Sequence, residues 1–313
     1  MEIKMAEIIT LGETMAVMAP SGEGRLSSVE SFGLRIAGAE SNTAVGAVRL
    51  GHTAAWISAV GDDELGRYVV SEIEREGVDV SLVKTDPAHR TGLMIKEIIG
   101  GATNVYYYRE NSAASRISPE DIPFEKLSDA KIVHITGITP VLGDGCRDAV
   151  YSLIAWAREN GKTVSFDPNI RRKIWKGNDY TPLLRELISM SDIALAGFSE
   201  LRELYGADTP LTAARALLSA GVKYAVVKDG GNGAWCASGE DFIFIPPVLC
   251  SPIDPVGAGD GFNAGFLSGM LEGKSLAECG KMGAVVGAMA TETVGDVNGY
   301  PTRKMLEERI RCL

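Results

Sequence analysis

Short apolar runs alternate with segments of helical spacing along most of the chain. Strand-like runs fall at 7–11, 54–60, 131–136, 163–166, 193–195 and 224–227, rich in Val, Ile and Ala. Such near-continuous apolar runs suit strands buried on both faces. Between them lie amphipathic segments at 42–50, 64–76, 144–159, 181–190, 199–205 and 211–220, which the spacing predicts as helices. This βαβ alternation predicts an α/β fold, a mainly parallel sheet with helices on both faces. Sheets of this kind take ligands at the carboxyl ends of their strands.

Two stretches break the rhythm. Residues 14–36 alternate weakly and carry turn residues at Pro20, Ser21, Gly22 and Gly24. Residues 91–109 read as two strands, 92–99 and 104–109, around a Gly-Gly-Ala-Thr turn. Together they would form a small sheet projecting from the body, suited to a lid; ordinary surface hairpins are the plainer alternative. From 258 onward the pattern reads helix, helix, loop, helix. No repeat, low-complexity tract or Pro-rich linker divides the chain, so residues 1–313 are expected to form a single domain with the lid segments inserted.

Composition narrows the possibilities. The 313 residues include 31 Lys plus Arg and 41 Asp plus Glu, a net charge of −10. A nucleic-acid footprint needs clustered cations, so no nucleic-acid partner is expected. No apolar run approaches the roughly 18 residues of a membrane span. The opening Met-Glu-Ile-Lys-Met-Ala-Glu has acids inside its apolar pattern, unlike a signal peptide, and a cytoplasmic address is expected. Five scattered cysteines without a CxxC, and three histidines without metal-binding spacing, argue against a disulfide framework and a transition-metal site.

The sharpest local feature is Asp254-Pro255-Val256-Gly257-Ala258-Gly259-Asp260-Gly261-Phe262, followed by apolar positions at helical spacing. A small-residue turn opening a helix offers converging N–H groups at Gly257, Ala258 and Gly259, aided by the helix dipole, and so a place for a phosphate. Asp260 in that turn can take a proton from a hydroxyl in line with the phosphate. Helix capping alone is the plainer reading. Gly269 to Ser275 resembles a P-loop, but three residues instead of four separate its glycines.

The Asp254–Phe262 run continues through Asn263-Ala264-Gly265-Phe266 and resembles the C-terminal signature of the PfkB, or ribokinase-like, sugar kinases. Ala37 to Ala44, with Gly38 and Asn42, continuing through Leu50-Gly51 to Gly61-Asp62-Asp63-Glu64-Leu65-Gly66, resembles their N-terminal signature. The resemblance covers essentially the whole chain. It implies a three-layer α/β/α fold with a β-sheet lid, ATP as phosphate donor, Mg2+ as cofactor, Asp260 as catalytic base and an anion hole from Gly257, Ala258 and Gly259. Val227-Lys228-Asp229-Gly230-Gly231-Asn232-Gly233 resembles the family's nucleotide loop; we assign Lys228, Gly230, Gly233 and Asn169 to the nucleotide. A plain hairpin, with Lys228 solvated, stays open. The family's Asn-x-x-Glu falls on Gly197-Phe198-Ser199-Glu200. The Asn position is Gly, and Glu200 is left either to act on Mg2+ through water or to serve as a first-turn helix acid.

The acceptor is read from Tyr106-Tyr107-Tyr108-Arg109 and from Asp167-Pro168-Asn169-Ile170-Arg171. Aromatic rings offer a flat face to a sugar, and two arginines suit a carboxylate, which a neutral sugar lacks. These segments resemble the 2-keto-3-deoxygluconate kinase branch, which implies substrate contacts from Gly38, Tyr107, Tyr108, Arg109, Arg171, Asp260 and Asp296; we add Asn42. Met94 stands where the branch often has Tyr. Asp296 alternatively serves a turn. A kinase for fructose, ribose or a nucleoside is the alternative activity, and a non-catalytic sugar binder a remote one. A homo-oligomer formed through the lid is also expected.

Overall fold

The computed structural model describes residues 6–313; the opening residues 1–5, part of the segment read against a signal peptide, lie outside it. The first elements are β1 (Ile8–Leu11), β2 (Met15–Pro20), β3 (Phe32–Ala37), α1 (Ala39–Arg49), β4 (Ala54–Gly61), α2 (Glu64–Arg75) and β5 (Val83–Asp86). Then come β6 (Leu93–Ile99), β7 (Ala102–Tyr108), β8 (Ile132–Thr136), α3 (Asp144–Glu159), β9 (Thr163–Asp167), α4 (Thr181–Ser189), β10 (Ile193–Gly197) and α5 (Phe198–Tyr205). The chain closes with α6 (Pro210–Ser219), β11 (Tyr224–Lys228), β12 (Ala234–Ser238), β13 (Asp241–Ile245), α7 (Ala258–Leu271), α8 (Leu276–Thr291) and α9 (Arg303–Arg311).

Nine strands form one sheet in the order β13-β12-β11-β10-β9-β8-β1-β4-β5. All neighbours from β11 to β5 run parallel, and β12 and β13 extend the sheet by antiparallel pairing. The pleat sends alternate residues to opposite sides. Ile9, Leu11, Ala194, Ala196, Ala225 and Val227 enter one apolar core, with α3 to α6. Ile8, Ile193, Leu195 and Val226 enter the other, with α1, α2 and α7. Both faces are therefore covered, as the unbroken apolar runs required, and the architecture is the expected α/β/α sandwich. The edge strands β5 and β13 were not foreseen: a half-exposed strand such as Val-Lys-Thr-Asp lacks the buried run that gives a strand away.

Successive strands lie to one side of β1 as far as β5, and β8 then takes the other side. The order reverses between β1 and β8, which opens a crevice at their carboxyl ends. Above it stands a second sheet, β3-β2-β6-β7, built from the two segments that broke the βαβ rhythm. Met15, Val17, Ala37 and Met94 are buried beneath it. Met94, the departure noted in the sequence, is thus a core side chain of this sheet as well as part of the cavity wall below.

The P-loop-like Gly269–Ser275 run is the end of α7 and the start of α8. Ser275 caps α8, its N–H donating to the Glu278 carboxylate at 3.0 Å. Among the described residues no helix is long and apolar enough to cross a membrane.

Candidate active site

A cavity of about 820 Å³ fills the crevice between the two sheets. Its floor is made by strand ends: Glu13 after β1, Ile138 after β8, Asp167 and Asn169 at the end of β9, Gly197 of β10 and Lys228 of β11. The projecting sheet supplies Met15, Met94, Lys96, Val105, Tyr107 and Arg109. The Gly257–Gly259 turn, Asp260, Asp296, Gly230 and Gly233 complete the wall.

Asp260 sits in the first turn of α7 and is 9% exposed. Burial, reinforced by the nearby negative charge of Asp167 and opposed by a hydrogen bond from Asn42, pushes its carboxyl up to about 7. The Asn42 amide donates to Asp260 Oδ2 at 2.8 Å and reaches Asp296 Oδ2 at 3.5 Å. A carboxylate poised near neutrality suits a general base.

The turn before it can only be glycine at its first position. Gly257 has φ +79°, and a Cβ there would lie 1.9 Å from the Asp296 carbonyl oxygen. That approach also ties the turn to Asp296, and Tyr300 Oη donates to the Gly257 carbonyl at 2.7 Å. First-turn N–H groups of a helix have no intrahelical acceptor. Those of Gly259 and Asp260 are of this kind, while the Ala258 N–H makes a long 3.3 Å bond to Pro255. A Cβ on Gly259 would lie 3.8 Å from Lys228 Nζ, so an ammonium stands beside the turn. The cradle fits a polyphosphate.

Lys228 is not solvated. Its ammonium donates to Asp167 Oδ2 at 2.7 Å and to Asn263 Oδ1 at 3.0 Å. Asn263 also donates to Asp167 Oδ2, at 2.7 Å. Lys228 and Asn263 hold the Asp167 carboxyl low against its burial. Asn169, at φ +38°, is 5% exposed, and its Oδ1 has no partner among the described residues. Gly230 and Gly233 shape the β11–β12 connection, which is a hairpin as well as part of the cavity wall; a Cβ on Gly233 would lie 2.3 Å from the Ile245 carbonyl oxygen.

Glu200 is committed to the backbone. Its two carboxylate oxygens accept N–H groups of Ile170 and Gly197, each at 2.7 Å. It pins the loop after β9 to the start of α5, and burial pushes its carboxyl up. Among the described residues no group of three or more His, Cys, Asp or Glu side chains forms a metal site.

The acidic-sugar residues separate. Tyr107 lines the cavity, but Tyr108 does not: it is 61% exposed on the opposite face of β7. Neighbours on a strand point to opposite sides, so the expectation for Tyr108 is corrected. Arg109 is 8% exposed, and its Nε donates to Glu13 Oε2 at 2.7 Å. Arg171 lies exposed at the rim, with a 3.2 Å bond to its neighbour's carbonyl and no carboxylate partner among the described residues. Gly38 precedes α1 and leaves no room for a Cβ, which would lie 2.4 Å from Thr14 Oγ1. Glu13, Lys96, Asp167 and Asn263 were not singled out from the sequence. Asp167, at the end of an apolar run, and Asn263, inside the run that continues the Asp260 turn, carried a local signal.

Residues 5–303 match the family model described as pfkB family carbohydrate kinase. The chain belongs to this family. It is 36% identical to the 2-dehydro-3-deoxygluconokinase of Bacillus subtilis, over 96% of this chain and 94% of that one. It is 33% identical to the 2-dehydro-3-deoxygalactonokinase of Haloferax volcanii, with 93% of each covered. Among solved structures it resembles a PfkB protein from Polaromonas sp. JS666, with TM-score 0.89, 35% identity and 96% and 99% of the two chains covered. It also resembles a putative ribokinase II from E. coli in complex with ATP and Mg2+, with TM-score 0.91, 25% identity and coverage of 98% and 100%.

Proposed function

We propose that this family member transfers the γ-phosphoryl group of ATP to a hydroxyl of a keto-deoxy sugar acid, 2-keto-3-deoxygluconate (2-dehydro-3-deoxygluconate). The observation that carries this reading is one cavity holding a buried carboxyl near neutrality beside a phosphate-sized turn, with Tyr107, Arg109 and Arg171 on its walls. Ionised Asp260 takes the proton of the acceptor hydroxyl. The hydroxyl oxygen forms the new bond to phosphorus as the bond to the ADP oxygen breaks. N–H groups of the turn that opens α7, led by those of Gly259 and Asp260 that have no intrahelical acceptor, bind the transferred oxygens, and Lys228 adds positive charge beside them.

Mg2+ prefers phosphate oxygens and water to an all-protein cage, so an ion arriving with the nucleotide fits a wall where Glu200 and Asp167 already hold protein partners and would reach it through water. When bound, it neutralises phosphate charge. The protein is expected to work in the cytoplasm. Assembly through the outer face of the small sheet, where Leu34, Ile99, Tyr106 and Tyr108 are exposed, is part of the same proposal.

A second reading, a kinase for a neutral sugar, is favoured by one observation: Glu13 already neutralises Arg109, which leaves Arg171 to meet a carboxylate. The two readings part in kcat/KM for 2-keto-3-deoxygluconate, fructose and ribose, measured with wild type and Arg171→Ala. Wild type should prefer the acid, and the variant should lose about 10- to 150-fold on the acid and little on the neutral sugars. Preference for a neutral sugar, or equal loss on all three, supports the second reading. Arg109→Ala is the poorer probe, because it strands a buried Glu13 charge.

A further inference from the structure

Two charged side chains over the cavity are held more loosely than their burial would suggest. Lys96 reaches from β6 towards Asp296, and its Nζ stops 3.4 Å from Asp296 Oδ1. The two side chains are only 13% and 11% exposed. Charge-assisted N–H···O contacts usually close to about 2.7–2.9 Å, as Lys228 does on Asp167 in the same cavity at 2.7 Å. The other Asp296 oxygen receives only the 3.5 Å contact from Asn42. Among the described residues neither side chain shows another hydrogen-bond partner. An ammonium with three donors and a carboxylate with two acceptor oxygens therefore face the cavity they line with most of their hydrogen-bonding capacity unused.

A hydroxyl satisfies both at once. Its oxygen accepts from Lys96 and its proton goes to Asp296. The position also fits an acceptor. The Asn42 amide that touches Asp296 donates to Asp260, so the Lys96–Asp296 gap lies beside the group that takes the proton. A sugar hydroxyl in that gap sits on a carbon close to the reacting one.

We propose that Lys96 is a specificity-determining residue: with Asp296 it holds an interior secondary hydroxyl of the acceptor and so reads the configuration at that carbon. This rests on the sugar-kinase reading. An epimer turns its hydroxyl away and leaves both charges unmet, and a site built to bond a hydroxyl discriminates strongly for that reason. A brace between the small sheet and the body is better served by a short charge-assisted bond, such as Lys228 makes on Asp167 at 2.7 Å.

The test measures kcat and KM for 2-keto-3-deoxygluconate and its epimers at C4 and C5, with wild type and Lys96→Met, which keeps length and removes charge. Wild type should discriminate against at least one epimer. Lys96→Met should lower kcat/KM for the preferred sugar by about ten- to a hundredfold, mainly through KM, and for that epimer by less than about threefold. An equal loss on all three sugars, an unchanged preference, or a wild type indifferent to both epimers overturns the proposal. If Lys96→Met does not fold, Lys96→Gln is read in the same way. A wild type that accepts none of the three acids fails the acid-sugar reading and not this one. Fructose, with its C4 epimer tagatose and C5 epimer sorbose, then decides Lys96 by the same outcomes.

Discussion

At the scale of single residues, Asp260 is both the reactive group and a cost to stability. Its carboxyl is pushed up to about 7, so it must lose a proton to act as a base. kcat/KM for the acceptor should fall about tenfold per pH unit below that value, which a pH–rate profile checks. Asp260→Asn keeps the size and removes the basicity, and kcat should drop by roughly 10²–10⁴ with ATP affinity little changed. The same shift has a sign for stability. The folded-state pKa lies above the unfolded value of about 3.9, so the contribution is fully present below that pH and is lost as pH rises through about 7. Asp260→Asn, neutral throughout, should therefore melt higher than wild type at pH 8, with the gap closing towards pH 4. A variant that keeps wild-type kcat, or melts lower at pH 8, contradicts the assignment.

At the scale of elements, the start of α7 and strand β7 make the strongest statements. Gly257→Ala places a methyl against the Asp296 carbonyl at a positive φ. The turn has to open, and kcat should fall at least about tenfold, since strain of order 1–3 kcal/mol is relieved only by moving the site. On β7, Tyr107→Ala should raise acceptor KM while Tyr108→Ala leaves it near wild type, because the two rings face opposite sides. Equal effects would mean that the strand register differs from that described.

The same elements mark what the sequence could reveal. The turn before α7 was legible because its residues are adjacent and its chemistry is local. Helix α3 was legible to its ends, since its apolar spacing runs unbroken from Asp144 to Glu159. The pairs Glu13 with Arg109, Asp167 with Lys228 and Lys96 with Asp296 lie 96, 61 and 200 residues apart. No local pattern announces them; only the parallel sheet and the folded-over small sheet bring them together. Arg109 thus read as an open cation, when the fold gives it a buried partner.

At the scale of the whole molecule, the cavity lies between a nine-stranded body and a four-stranded sheet that contributes one wall. Closure of that sheet would shut out water, which competes with the sugar for the phosphoryl group. Amide exchange in 14–36 and 91–109 should slow when sugar and nucleotide bind together, and equal exchange with and without them would count against closure. The central claim is phosphorylation of a keto-deoxy sugar acid at this site, and 31P NMR of the product tests it most directly. Purified protein with ATP, Mg2+ and 2-keto-3-deoxygluconate should give a new phosphomonoester resonance, absent with Asp260→Asn. No such resonance from the sugar acid, with one appearing from fructose or ribose under the same conditions, would contradict it.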